Sequence, residues 1–220
     1  MISRKATVPA DGALLTGELV TPGPVRSVVL FAYDSSGSRH RPRNRTVAAA
    51  LRRAGSGTLL LDLLTEREER EDALTVEHRF DIPLLARRLV AAIDWLDEGP
   101  DASGLPVGLF GAGTVAAAAL VAAAERPERV YAVAAWEGRP DLAGDALERV
   151  RAPVLLIAGG DDGTVVRLNR AAAERLPAPH RVLVVNGARY LFEKPEALAQ
   201  VTDAVSDWFV SSAASRQATV

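Results

Sequence analysis

A doubly wound α/β fold, with a mostly parallel sheet and an N-terminal β-hairpin, is what this sequence predicts. Six short runs are apolar almost throughout, the pattern of strands covered on both faces. Helical stretches stand between them, and regular alternation of strand and helix is the mark of a parallel sheet wound on both sides. The chain has 220 residues, 48% of them hydrophobic and 25% charged, which suits one ordinary domain with a substantial core.

Taken in order, KATVPADGALLTGELVTP (5–22) reads as two strands joined at Asp11–Gly12, a dipeptide that accepts the positive φ of a tight hairpin. The parallel strands are SVVLFAY (27–33), GTLLLDL (57–63), PVGLFG (106–111), VYAVAAW (130–136), PVLLIAG (153–159) and HRVLVVNG (180–187). The helices are RNRTVAAALRRAG (43–55), DIPLLARRLVAAIDWLDEG (81–99), TVAAAALVAAAERP (114–127), VVRLNRAAAERLP (165–177) and EALAQVTDAVSDWFV (196–210). Gly55 after Arg52–Arg53 and Pro127 after Glu125–Arg126 are stop signals. The charged stretch TEREEREDALTVEHR (65–79) reads as a solvated lid or surface loop. Residues 1–210 are expected to form a single domain. The polar, small-residue tail SSAASRQATV (211–220) is expected to be disordered.

A net charge of −2 gives no general attraction to nucleic acid or acidic membranes. With no cysteine there is no disulfide, no thiolate nucleophile and no cysteine-based metal site. MISRKATVPADG has no apolar signal-peptide core, and the apolar stretch Val115–Ala124 is too short to span a bilayer. The expectation is a soluble cytoplasmic protein acting on a small molecule, with no nucleic-acid or membrane partner, no metal and no cofactor. Oligomeric state is left open.

Ligands of such sheets bind at the carboxyl ends of the strands. Those ends read Tyr33-Asp34-Ser35-Ser36-Gly37, Gly111-Ala112-Gly113-Thr114, Trp136-Glu137, Gly159-Gly160-Asp161-Asp162 and Gly187-Ala188-Arg189-Tyr190. A turn after a middle strand, then an acid, then a residue after the last strand is the chain order of an α/β-hydrolase. Over residues 27–210 the chain resembles the dienelactone-hydrolase-like branch of that superfamily. The resemblance is carried by SGSRHRPRNR, RFDIPLLARRLVAAIDWL, GLFGAGTVAAAAL, GRPDLAGDAL and GGDD followed by GARYLFEKPEAL. It implies the α/β-hydrolase fold. It also implies that the family's nucleophilic serine falls on Gly113, its acid on Asp162 and its histidine on Tyr190. The usual His-Gly of the oxyanion loop falls on Tyr33-Asp34. Glycine has no hydroxyl, and a phenol with a pKa of about 10 is a poor base at neutral pH. A Ser-His-Asp acyl-enzyme is therefore excluded at these positions.

What remains is a set of polar and aromatic groups. Glycine occupies the positive-φ backbone of such an elbow without steric cost. The Thr114 N–H, at a helix N-terminus, and the backbone at Asp34 are candidate oxyanion-hole donors. Asp34 is a candidate general base, or a solvated loop residue satisfying backbone donors. Tyr33 and Tyr190 are candidate donors to a carbonyl oxygen, or pocket walls. Asp162 either orients Tyr190 or Arg189, or is a relic. Trp136 and Glu137 end their strand beside this group. His40 and His78 are possible replacement bases, although loop histidines are commonly surface residues. Of Arg39, Arg41, Arg43 and Arg45, one at best is expected to face inward and hold a carboxylate, Arg43 being the pocket candidate.

Gly111-x-Gly113-x-x-Ala116, with Glu137 ending the next strand, also satisfies a dinucleotide fingerprint, although on the third parallel strand where the first is usual. Four readings stay open: a non-hydrolytic isomerase, lyase or cyclase; an inactive pseudoenzyme that binds a ligand or partner; a hydrolase with another nucleophile; and a dinucleotide-binding protein.

Overall fold

Near-continuous apolar runs become strands because a central parallel sheet buries both of their faces. The computed structural model describes residues 1–35, 37–100, 102–188 and 194–217. In it, β1 (Ile2–Ala10) and β2 (Ala13–Thr21) form the antiparallel hairpin, turned through Asp11 (φ 49°) and Gly12 (φ 76°). Two positive φ values in a row match the twist of the flanking strands. The next six strands are β3 (Val28–Tyr33), β4 (Gly57–Asp62), β5 (Val107–Ala112), β6 (Val130–Trp136), β7 (Val154–Gly159) and β8 (His180–Val185). They pair in parallel, and the whole sheet has the order β1-β2-β4-β3-β5-β6-β7-β8.

Among the described residues seven α-helices flank it: α1 (Pro42–Arg53), α2 (Glu66–Thr75), α3 (Glu77–Phe80), α4 (Ile82–Glu98), α5 (Val115–Glu125), α6 (Gly163–Glu174) and α7 (Pro195–Gln217). On one face, α4, α5 and α6 pack over Leu30, Leu59, Leu61, Leu109, Val133 and Leu156. On the other, α1 and α7 cover Val29, Phe31, Phe110 and Ile157, with Phe31 and Phe110 ring centroids 4.7 Å apart. Each fully buried large apolar side chain contributes about 1.5–3 kcal/mol. Among the described residues no helix is long and apolar enough to cross a membrane.

Two expectations are corrected. The charged stretch after β4 is helical, as α2 and α3, where a loop was expected. A capping box starts α2: Thr65 Oγ1 accepts from Glu68 N–H at 3.3 Å while Glu68 Oε2 accepts from Thr65 N–H at 2.8 Å. Glu68 also takes a bidentate bond from Arg88 of α4, Nη1–Oε2 2.8 Å and Nη2–Oε1 2.6 Å, and Arg88 Nη1 donates to Leu63 O at 2.6 Å. Arg88 is almost fully buried, so this ion pair ties α2 to the end of β4.

The second correction is at the carboxyl terminus, where residues 211–217 continue α7 instead of forming a tail. No glycine or proline stops the helix there. Ser211 and Ser215 turn their hydroxyls back to Asp207 O (2.7 Å) and Ser211 O (3.0 Å), and Ala213 packs on the core.

Candidate active site

The sheet order places β3 between β4 and β5, so the chain leaves β3 for one side and later returns on the other. Crevices form at such switch points, beyond the carboxyl ends of the strands. Here three strand ends stand side by side: Asp34 after β3, Gly113 after β5 and Glu137 after β6. Gly113 has φ +60°, and it is locked to the β6 end by Gly113 N–H to Trp136 O (3.3 Å) and Arg139 N–H to Gly113 O (3.0 Å). A Cβ built on it would meet nothing within 4 Å. Thr114 follows as the N-cap of α5, so its backbone lies at the positive end of that helix.

A cavity of about 280 Å³ opens over this elbow, walled by Tyr33, Asp34, Gly113, Trp136 and Glu137, with Arg41, Arg43 and Arg79 also facing it. Burial pushes the Asp34 carboxyl above its ordinary range, with Arg79 and Arg41 pulling the other way. Arg79 is itself held by the buried Asp72, through Nε–Oδ2 at 2.6 Å and backbone N–Oδ1 at 2.9 Å. Tyr33 is buried and its hydroxyl has no hydrogen-bond partner among the described residues. Burial, and then the nearby Asp62 carboxylate, hold that hydroxyl firmly protonated. Trp136 packs edge-on to Phe110 at 5.9 Å, and the Arg43 guanidinium lies 5.7 Å from the Trp136 ring centroid. Glu137 is a non-glycine residue at φ +49°, with Oε1 accepting from Gly159 N–H. Burial raises its pKa, that hydrogen bond lowers it, and Asp162 raises it further.

Residues 16–208 match the description "Dienelactone hydrolase family". The chain belongs to the dienelactone hydrolase family. A crystal structure of a dienelactone hydrolase from Anabaena variabilis is similar over 96% of this chain and 97% of that one, with 50% identity and a TM-score of 0.91. Proteins of Mycobacterium tuberculosis named "Putative phosphoribosyl transferase" are 50% identical over 196 residues, 89% of this chain and 43% of theirs. The chain therefore spans less than half the length of those relatives. Est1E from Butyrivibrio proteoclasticus, at 16% identity, shares the fold over 96% of this chain and 99% of its own, with a TM-score of 0.76.

Within this dienelactone hydrolase family chain, six of the residues singled out in the sequence meet at one cavity: Tyr33, Asp34, Arg43, Gly113, Trp136 and Glu137. Thr114 adjoins it, and its own hydroxyl is buried without a partner among the described residues. Asp162 stands apart from these walls: its Oδ1 accepts from Thr164 N–H and Val165 N–H, both at 3.1 Å, and so caps α6. Tyr190, with Arg189, lies outside the described residues.

The histidines are not gathered here. His40 accepts from Arg39 Nε at 3.0 Å and faces a separate groove of about 650 Å³ beside Asp62 and the hairpin. The loop after β3 turns through a 3₁₀ segment, Ser38–His40, which directs Arg39 to Asp62 (3.2 Å) and carries His40 outward with it. His78 is on α3, 3.3 Å from Glu71. A replacement base at either histidine is therefore corrected by position.

The cationic wall is larger than the sequence implied. Arg41 and Arg43 both line the cavity, where one inward arginine at best was expected, and Arg79 joins them from the stretch read as solvated. The buried Asp62 and Arg88 were also missed. Their signal was a charge inside an apolar run or on the apolar face of a helix, at GTLLLDL and IPLLARRL.

Proposed function

We propose that this chain is a non-hydrolytic enzyme of the isomerase, lyase or cyclase type, moving a proton on a small anionic molecule that carries a carbonyl group. Asp34 is the general base, the Thr114 N–H with the α5 N-terminus stabilises the oxyanion or enolate, and Tyr33 is a hydrogen-bond donor. One observation carries the reading: a half-buried carboxylate with a raised pKa shares a cavity with a glycine elbow whose backbone is intact and which offers no side-chain nucleophile. The three guanidiniums favour an anionic ligand. By the family resemblance, Gly113 and Tyr190 stand where hydrolysis would need serine and histidine, so the residues left at the elbow support proton transfer rather than acyl transfer.

Phosphoribosyl transfer is a weaker reading for this chain. The matched segment is 43% of the relatives so named. The cavity of about 280 Å³ holds roughly nine water volumes, too little for a phosphoribosyl donor together with its acceptor. The test is solvent deuterium exchange at the carbon beside the carbonyl, followed by proton NMR, in pyruvate, 2-oxoglutarate and oxaloacetate. Exchange above background, reduced about 10²–10⁴-fold by Asp34→Asn, supports the assignment. A protein that binds these acids without exchanging them is the inactive ligand-binding alternative.

A further inference from the structure

Asp34 is not the only carboxyl group at the elbow. The neighbours β3, β5 and β6 place Asp34 and Glu137 on opposite flanks of Gly113. With strands about 4.8 Å apart, their backbones stand roughly 10 Å from each other, with the cavity between them. We propose that Glu137 is a second catalytic residue of this cavity, a proton donor working across the elbow from Asp34 on a small 2-oxo dicarboxylate. This rests on the reading of Asp34 as base.

The two carboxyls sit in different electrostatic surroundings. Burial raises both carboxyls, and at Asp34 the guanidiniums of Arg79 and Arg41 pull back toward the charged form. At Glu137, burial and the Asp162 carboxylate favour the neutral form, against one backbone hydrogen bond, with no guanidinium among the described residues acting on it. Such a division assigns the base to Asp34 and the acid to Glu137. Only 6% of Glu137 is exposed. Its Oε1 is engaged by Gly159 N–H. Tyr33 also lines the cavity, with its hydroxyl buried and without an acceptor among the described residues. Room for roughly nine water volumes fits a four-carbon acid, with Arg41 and Arg43 on the wall and Arg79 held there by Asp72.

The step balances without another reactant. The Asp34 carboxylate removes a proton from the carbon next to the ketone. The C–H electron pair becomes the carbon–carbon double bond, and the ketone oxygen, held at Thr114 N–H, takes a proton from the Glu137 carboxyl. The product is the enol. Proton exchange with water returns Asp34 to its carboxylate and Glu137 to its acid.

Oxaloacetate is the probe. Its keto–enol interconversion is followed by ultraviolet absorbance and its C3 hydrogen exchange by NMR in D₂O, with melting temperatures recorded for every variant. Glu137→Gln keeps a carbonyl acceptor for Gly159 N–H. It is expected to slow interconversion about 10²–10⁴-fold while slowing C3 exchange, which needs only the enolate, by less than about tenfold. Glu137→Asp, a residue that tolerates left-handed backbone, is expected to recover part of the interconversion. Asp34→Asn is expected to lose both reactions. Wild-type interconversion in Glu137→Gln overturns the role of Glu137 and leaves Asp34 as base. Equal loss of interconversion and exchange in Glu137→Gln overturns it too, as a merely structural role. A wild-type protein that accelerates neither reaction overturns the proposed function and this inference with it.

Discussion

Gly113→Ser puts a hydroxyl on the elbow without disturbing its neighbours, and its cost can be worked from the backbone. The φ of +60° disfavours any side chain, but a Cβ there meets nothing within 4 Å. The cost is therefore conformational, about 1–2 kcal/mol. For a chain of this size each kcal/mol lowers Tm by roughly 2–4 °C, so a fall of about 2–8 °C is expected. A serine hydroxyl also needs a histidine-like base within hydrogen-bond reach, because a carboxylate at Asp34 would repel the acyl oxyanion it helped to form. His40 faces the other groove, His78 is paired with Glu71 and His180 begins β8 at the far end of the strands. Wild type and Gly113→Ser should both hydrolyse p-nitrophenyl acetate at background and resist fluorophosphonate labelling. A fluorophosphonate adduct at position 113 of the variant refutes this reasoning, as does one on Thr114 or Ser35 of the wild type.

Two further predictions concern buried charge. Arg88→Met leaves Glu68 and Leu63 O without their donor and should cost about 3 kcal/mol in urea unfolding at pH 7, the low end for breaking a buried pair because Glu68 retains some solvent contact. Arg88 holds Glu68 near a pKa of about 2, below its ordinary 4.5. That stabilisation is complete above pH 4.5 and is lost as pH falls toward 2, so the wild-type advantage should shrink over this window; a difference that stays constant with pH rules the assignment out. Asp62 is the opposite case: burial raises it from 3.8 to about 7 against the pull of Arg39, and its Oδ1 has no partner. The folded state favours neutral Asp62, so its ionisation destabilises the protein as pH rises from 3.8 toward 7. Asp62→Asn should therefore be more stable than wild type at pH 8, on the order of 1–3 kcal/mol, and the gain should vanish below pH 4. A destabilised Asp62→Asn at pH 8 would show that the Arg39 pair outweighs burial.

The strands were legible because a sheet covered on both faces leaves few polar positions inside them, and the hairpin because Asp11–Gly12 takes two positive φ values. The helix α2 was missed because charge density dominated the reading of TEREEREDALT, although Thr65 and Glu68 at capping-box spacing marked its start. Long-range partners are a different matter. Arg88 stabilises α2 from 20 residues downstream of Glu68, and no local pattern reports that. The strand-end rule found the elbow, Asp34, Trp136 and Glu137, since these depend only on where strands stop. It did not find Arg79, whose approach to the cavity is set by Asp72 and the fold of α2 and α3.

The paired glycines of GLFGAG have an account that needs no nucleotide. A Cβ on Gly111 would stand 2.9 Å from Val115 O and 3.0 Å from the Ala116 backbone, so this glycine is required for α5 to lie close against β5. Gly113 is required by its positive φ. Glu137, in the place of a ribose-binding acid, is buried and binds Gly159 N–H, tying the end of β6 to that of β7. Each feature of the apparent dinucleotide fingerprint thus follows from how β5, β6 and α5 pack. The same packing accounts for Arg79, held by Asp72, and for Arg43, laid over the Trp136 ring, but not for a carboxylate at Asp34 on the opposite flank of the elbow. That carboxylate has no partner role in the elbow's packing, and the proposed proton transfer gives it one.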